Sequence, residues 1–337
     1  MNKIYADLHV HTIYSADATF LNGKVSPEEA VEVAKEKGLS AIAIVDHDSV
    51  DGNEEALKAG KRHEITVIPG TEITITDNSS LRFFDIHILG LGIDSKNRKL
   101  LRLIKKNRNA DLLTERHKRI IRNLVVDITK RFGTENETTD DLEKRIMDVI
   151  GSEISRPAIA SAVFKVKPEY GQLVDLRKEL GPLGLLYVDK ELYSEIYEAI
   201  RSIKDANGIA ILAHPDRYLH PNIIMNEYNG DIKKARDEII KPLLWLSKFS
   251  GIDGVEVAYP YQKKIFTKDE DHIKKIETNL DETIKYYINF CKKWNLLMSG
   301  GRDSHERYGI GEVGLTEEEF RPVIARIYER NSKLRPK

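Results

Sequence analysis

Asp7-Leu8-His9-Val10-His11-Thr12 closes an apolar run that starts near residue 3, and the fold turns on how this stretch is read. A short run of this kind reads as a buried strand, and side chains two residues apart on a strand leave the same face. His9 and His11 therefore point together, at the end of the strand. Far along the chain, Arg302-Asp303-Ser304-His305 follows another apolar run and repeats the two-residue spacing with Asp303 and His305.

Seven runs rich in Ile, Val, Leu or Ala read as strands, near 3–8, 41–45, 65–72, 83–92, 209–213, 254–258 and 296–300. Most are followed by helical pattern. The first helix has Ser26 to cap it, Pro27 at its first position, Glu28 and Glu29 in the first turn, Lys35 and Lys37 in the last, and Gly38 beyond. Further amphipathic stretches run near 53–62, 190–206, 231–249, 272–293 and 316–331. Strands alternating with helices imply an α/β fold with a mainly parallel sheet, and seven units are enough for a closed or nearly closed (β/α) barrel.

Metal-competent side chains fall at six of these strands: His9 and His11 at the first, His47 in Asp46-His47-Asp48, Glu72 after Pro69-Gly70-Thr71, His87 within the fourth, His214 in Ala213-His214-Pro215, and Asp303 with His305. A barrel assembles its site at the C-terminal strand ends, so these positions converge. Taken singly, His87 reads more readily as a satisfied core residue, Asp46 and Asp48 as turn or capping groups, and Asp17 as a loop carboxylate. Six strand ends carrying such residues together do not fit that reading. Six His and three carboxylates without a thiolate suit borderline ions such as Mn, Fe or Zn. Nine ligands exceed the need of one ion, so two or three sharing Glu72 is the economical arrangement. Each would lower the pKa of a bound water towards about 7 and polarise a phosphoryl oxygen. His63, His117, His220 and His272 lack ligand spacing and read as surface residues or supports behind the ligands.

Between about 99 and 189 the rhythm breaks into helix and loop, giving a barrel of residues 1–98 and 190–337 with a helical insertion at 99–189 expected to cap the substrate. Its first part, Lys99 to Arg131, holds eleven Lys and Arg against three Asp and Glu, read equally well as a solvated helix face or a phosphate-contacting surface. The whole chain is neutral, with 53 Lys and Arg against 54 Asp and Glu in 337 residues, which excludes a molecule-wide basic field for nucleic acid or membrane. A single Cys291 excludes an intramolecular disulfide framework and a cysteine-rich zinc site. With no leader and no apolar window near twenty residues, the expected location is cytoplasmic, with no membrane and no obligate protein partner.

The motifs Asp7-Leu8-His9-Val10-His11-Thr12, Val45-Asp46-His47-Asp48-Ser49, Gly70-Thr71-Glu72-Ile73, Ala213-His214-Pro215 and Asp303-Ser304-His305 resemble those of the PHP (polymerase and histidinol phosphatase) superfamily. More narrowly, His87-Ile88-Leu89-Gly90-Leu91, Ser155-Arg156-Pro157 and His214-Pro215-Asp216-Arg217-Tyr218 are similar to the nucleoside 3′,5′-bisphosphate phosphatase branch, some of whose members are 5′-to-3′ exoribonucleases. The resemblance implies a distorted seven-stranded TIM-like barrel and a metal-dependent phosphoesterase acting on a nucleotide or short RNA. It also implies one ion held by His9, His11, Glu72 and Asp303, a second bridged by Glu72 and held by His87 and His214, and a third held by Asp17, His47 and His305. At Tyr14-Ser15-Ala16-Asp17 the sequence has one residue more than the family's Ser-Asp-Gly. Glu72, Asp303 and His214 are expected at the reacting centre. Arg156 and Arg217 are the phosphate candidates, since a guanidinium fork matches phosphate oxygens. A histidinol-phosphate or other small-molecule phosphatase, a non-catalytic PHP module and an amidohydrolase are the competing functions.

Overall fold

A computed structural model of the protein describes residues 3–15, 25–75, 86–108, 110–133, 138–151, 156–174, 176–180, 186, 195–219, 224, 227–261 and 280–335. These divide into two compact units, Met1–Asn107 with Ser194–Lys337, and Arg108–Tyr193.

The first unit is built on seven strands among the described residues, hydrogen-bonded in sequence order: β1 (Ala6–Val10), β2 (Ala41–Ile44), β3 (Thr66–Ile75), β4 (Ile86–Leu91), β5 (Ile209–Leu212), β6 (Gly254–Ala258) and β7 (Leu297–Gly300). Bridges from Val10 to Ser304 and from Ala6 to Leu315 bring the first strand against the end of the sheet, so the barrel is nearly closed. Strand alternation gives the sheet two apolar faces. From one face Leu8, Ala43, Ile68, Leu89 and Ile211 gather in a single cluster with Phe320, Val323 and Ile327 of the C-terminal helix. The opposite face divides between two helix-covered clusters, one holding Ile42 and Ile44, the other Ile73, Ile88, Leu212 and Val255. A sheet curled around the first face produces this division, so Glu72, His87 and Glu256, each alternating with outward residues, point inward.

The alternation of strands and helices predicts a mainly parallel sheet. The structure agrees for β1–β2–β3 and β5–β6–β7, but β4 runs antiparallel to both neighbours. β3 ends at Ile75 and β4 begins at Ile86, a connection shorter than the crossover of about a dozen or more residues that parallel strands need. The reversal decides the position of His87. As the second residue of a reversed strand, paired with Thr74 late in β3, it lies at the same rim as the C-terminal ends of the others.

The helices follow their sequence signals. Ser26 and Glu29 form a complete capping box on the helix Pro27–Glu36, and Thr316 and Glu319 do the same on Glu317–Arg330. The stretch expected near 231–249 is helical but contains a π-helical turn at Arg236–Ile240. Arg98–Asn107 belongs to the first unit, where Leu100, Leu103 and Ile104 join the outer core. In the second unit Ala110–Phe132, Thr139–Ile150 and Arg156–Val166 pack Ile120, Leu124, Ile128, Leu142, Ile146 and Val163 into a separate core. Among the described residues no helix is long and apolar enough to cross a membrane.

Leu89 is fully buried in the inner cluster, between β3 and β5. Leu89→Ala should cost about 2–5 kcal/mol by the cavity it leaves. Urea unfolding measures this as a lower midpoint with an unchanged slope, and an unchanged midpoint would mean that the inner cluster does not support the barrel.

Candidate metal centre

Eight of the nine expected ligands come together at the rim; Asp17 lies outside the described residues. Both oxygens of the fully buried Glu72 carboxylate face imidazoles. Oε1 lies 3.0 Å from His87 Nδ1 and 3.2 Å from His214 Nε2, whereas Oε2 lies 3.0 Å from His47 Nδ1, 3.2 Å from His11 Nε2 and 3.4 Å from His9 Nε2. Asp303 Oδ1 stands 3.4 Å from His11 Nε2, 3.4 Å from His305 Nδ1 and 3.8 Å from His9 Nε2. The His11 and His305 rings stack at 4.1 Å.

This donor set fits divalent cations. Ligand bonds of about 2.1 Å at angles near 90–110° place neighbouring donor atoms roughly 3.0–3.4 Å apart, the spacing found around Glu72. Glu72 Oε2 accepts no hydrogen bond among the described residues, although three ring nitrogens lie within 3.4 Å. His9 Nε2 and His11 Nε2 face each other at 3.1 Å. Lone pairs that converge in a buried space repel one another unless they share a cation or protons. Four overlapping groups have donor atoms close enough to hold an ion: His9, His11 and Asp303; His9, Glu72 and His214; His47, Glu72 and His87; and His11, His47 and His305.

Electrostatics divides the histidines. Burial alone would push His9 down, but the carboxylates of Glu256, Glu72 and Asp303 outweigh it and hold the imidazole well above its usual range. Burial opposes protonation of His11 as well, yet Asp303 and Glu72 raise it to about 9. His214 is held well below the usual range by burial, a pull that Glu72 does not overcome and Arg217 reinforces, so its ring stays neutral. Burial would raise Glu72, but the positive potential of His47, His87 and His9 keeps it well below the normal carboxylate range, and it remains an anion.

Neighbouring elements hold these groups in place. The register of β1 against β2 shifts between Asp7 and Val10, a bulge that lets Leu8 stay in the inner core while His9 and His11 both reach the rim. His214 and Asp303 both have positive φ, 27° and 57°, a conformation uncommon outside glycine and sustained where surrounding contacts impose it. A Cβ on Gly301 would meet His9 Cβ and backbone N at 2.5 Å, so only glycine fits behind that imidazole. Asp46 accepts from Thr12 N and Oγ1 at 2.5 and 2.8 Å, and Asp48 from Asn107 Nδ2 at 2.7 Å, so both tie loops together as turn residues do.

Arg217 lies beside the cluster, 43% exposed, with Nη1 donating to Asp303 Oδ2 at 3.0 Å. Arg156 begins its helix in the second unit, and its side chain is outside the described residues. His63 stands 3.6 Å from Glu32. His117, expected at the surface or in support, is buried, because it lies one turn before the buried Ile120 and Ile121 on the same helix face. His220 and His272 fall outside the described residues.

Four supporting residues carry no signal of their role in the sequence motifs. Tyr259 OH donates to Asp303 Oδ2 at 3.1 Å. Arg236, on the π-helical turn, donates from Nε and Nη2 to Asp216 at 3.0 and 2.8 Å, and Tyr287 OH donates to the same carboxylate, which pins the turn carrying Arg217. Glu256 is fully buried on β6, the one strand to which sequence analysis assigned no functional residue; a lone acid in the apolar Gly254–Ala258 was the available signal.

Residues 7–246 match the PHP domain family. The chain belongs to that family. As a PHP domain protein it is 29% identical over 93% of its length to a 5′-3′ exoribonuclease of Haemophilus influenzae, covering 94% of that protein. It is also 28% identical, over 93% of its length and 91% of the relative, to a 3′,5′-nucleoside bisphosphate phosphatase of Chromobacterium violaceum. A solved structure from Bifidobacterium adolescentis, described as a metal-dependent phosphoesterase, shares the fold with a TM-score of 0.62 at 23% identity, covering 97% of this chain and 98% of that one.

Tyr218 OH accepts from the backbone N–H of His87 at 2.8 Å and donates to Ala213 O at 3.2 Å, joining two strands at the rim. Tyr218→Phe leaves both groups without this partner and should cost about 1–3 kcal/mol in chemical denaturation. No measurable loss would show that the hydroxyl does not secure the rim.

Proposed function

We propose that this PHP domain protein hydrolyses phosphate esters of nucleotides, a nucleoside 3′,5′-bisphosphate or a short 5′-phosphorylated RNA, using two to three Mn, Fe or Zn ions. The observation that carries the reading is Glu72: one buried carboxylate faces two imidazoles through one oxygen and three through the other, the geometry of a residue shared between ions. His9, His11 and Asp303 would complete the first position, His87 and His214 the second, and His47 and His305, with Asp17, a third. Bound divalent ions would supply Lewis-acid polarisation of a phosphoryl oxygen and acidify a water. His214, kept neutral by burial, offers its lone pair without first losing a proton. Arg217 engages Asp303 through one nitrogen and, being 43% exposed, keeps other N–H groups to orient a phosphate. A cationic amine in the same place would be repelled, which disfavours histidinol phosphate. The names of the Haemophilus influenzae and Chromobacterium violaceum relatives support the choice of substrate class.

The test compares chelator-stripped and metal-reconstituted protein on three substrates: a nucleoside 3′,5′-bisphosphate, a short 5′-phosphorylated oligoribonucleotide and histidinol phosphate. Turnover should require metal, and one of the two nucleotide substrates should have the highest kcat/KM. Arg217→Ala should lower that value by about 10–100-fold, the loss of one charge-assisted hydrogen bond, and narrow the gap to histidinol phosphate. Undiminished turnover in stripped protein contradicts the metal role, and a preference for histidinol phosphate contradicts the substrate class.

A further inference from the structure

Glu256 lies in Gly254–Ala258 between Val255 and Val257, which face the outer core, so its side chain points into the barrel, where it is fully buried. Both carboxylate oxygens are engaged. Oε1 lies 2.9 Å from His9 Nδ1, and Oε2 accepts the backbone N–H of His214 at 2.8 Å. Tyr261 OH donates to the backbone carbonyl of Glu256 at 2.9 Å and fixes the strand from behind. One acid on β6 thus reaches the imidazole of a residue on β1 and the main chain of a residue after β5, both in the metal-competent cluster.

A carboxylate can only accept from a ring nitrogen, so whenever the ring is neutral, as a metal ligand must be, this contact places the His9 proton on Nδ1 and leaves Nε2 as the lone-pair atom. His9 Nε2 is the atom that faces His11 at 3.1 Å and Glu72 at 3.4 Å. The second contact acts on the backbone, where His214 adopts a positive φ of 27° and needs its N–H held. Among the described residues Glu256 belongs to none of the metal-competent groups, and it stands behind His9 on the Nδ1 side. We infer that Glu256 is a positioning residue that sets the tautomer of His9 and the backbone of His214, so that both rings present Nε2 to the metals. The inference rests on the proposed metal-dependent function. A carboxylate behind a ligating imidazole typically changes metal affinity by 10–100-fold.

Two variants separate this role from a purely structural one. Glu256→Leu removes both contacts. Glu256→Gln keeps an acceptor for His9 Nδ1 but turns an amide N–H2 towards the His214 N–H. The measurements are Zn affinity by chelator competition and the His9 tautomer from long-range proton–nitrogen spectra of histidine-labelled protein, with His9 signals identified by their loss in His9→Gln. The Zn-loaded wild type should show His9 protonated at Nδ1 alone. The Leu variant should bind Zn about 10–100-fold more weakly, with that tautomer lost, and the Gln variant should keep the tautomer and fall between. Affinity in the Gln and Leu variants within about twofold of the wild type, or His9 protonated at Nε2 rather than Nδ1 in the Zn-loaded wild type, overturns the inference. The wild-type spectrum and the Gln variant decide it if the Leu variant does not fold. Wild-type protein that takes up no Zn, Mn or Fe overturns the proposed function itself, and the inference with it.

Discussion

A carboxylate buried without any exposure, facing five imidazoles through its two oxygens, is the constraint around which the first unit is organised. Taking Glu72 out of water is costly unless positive charge surrounds it. His47, His87 and His9 supply that potential, and the neutral His214 offers a lone pair to a shared cation, each ring nitrogen lying within 3.4 Å of the same carboxylate. Only a curled sheet brings strand ends from across the sequence to one point. The inner apolar cluster under the rim holds the curl, and the bulge in β1 lets one strand serve both layers.

The same demand explains the unusual backbone of the rim. His214 and Asp303 occupy positive φ, and each is secured by more than one neighbour: Glu256 and the Pro215–Tyr218 turn for His214, Arg217 and Tyr259 for Asp303. Strain of this kind persists where surrounding contacts over-determine it. The buried Arg236–Asp216 pair belongs to this support, since it ties the turn bearing Arg217 to a helix on the outside of the barrel.

Much of this was legible in the sequence for a physical reason. Polar residues at the ends of apolar strands stand out, and His9-Val10-His11 and Asp303-Ser304-His305 state their shared direction through spacing alone. The strand positions and the capping of the first helix rest on equally local signals. The direction of β4 does not follow from its hydrophobic pattern, which is the same read either way; the short connection between β3 and β4 was the available signal. His87, second in β4, lies at the rim only because the strand is reversed; a parallel strand would place it at the opposite end. Glu256 was missed because its meaning lies in a partner 247 residues away, and Arg236 because Asp216 and Tyr287 meet it only after folding.

The central claim is that Glu72 is shared between ions, and anomalous X-ray scattering from crystals grown with Mn or Zn tests it most directly. At least two peaks are expected, one on each side of the Glu72 carboxylate, with His9, His11 and Asp303 around the first and His87 and His214 around the second. A single ion that leaves one Glu72 oxygen without metal, or ions bound away from the cluster, would contradict it.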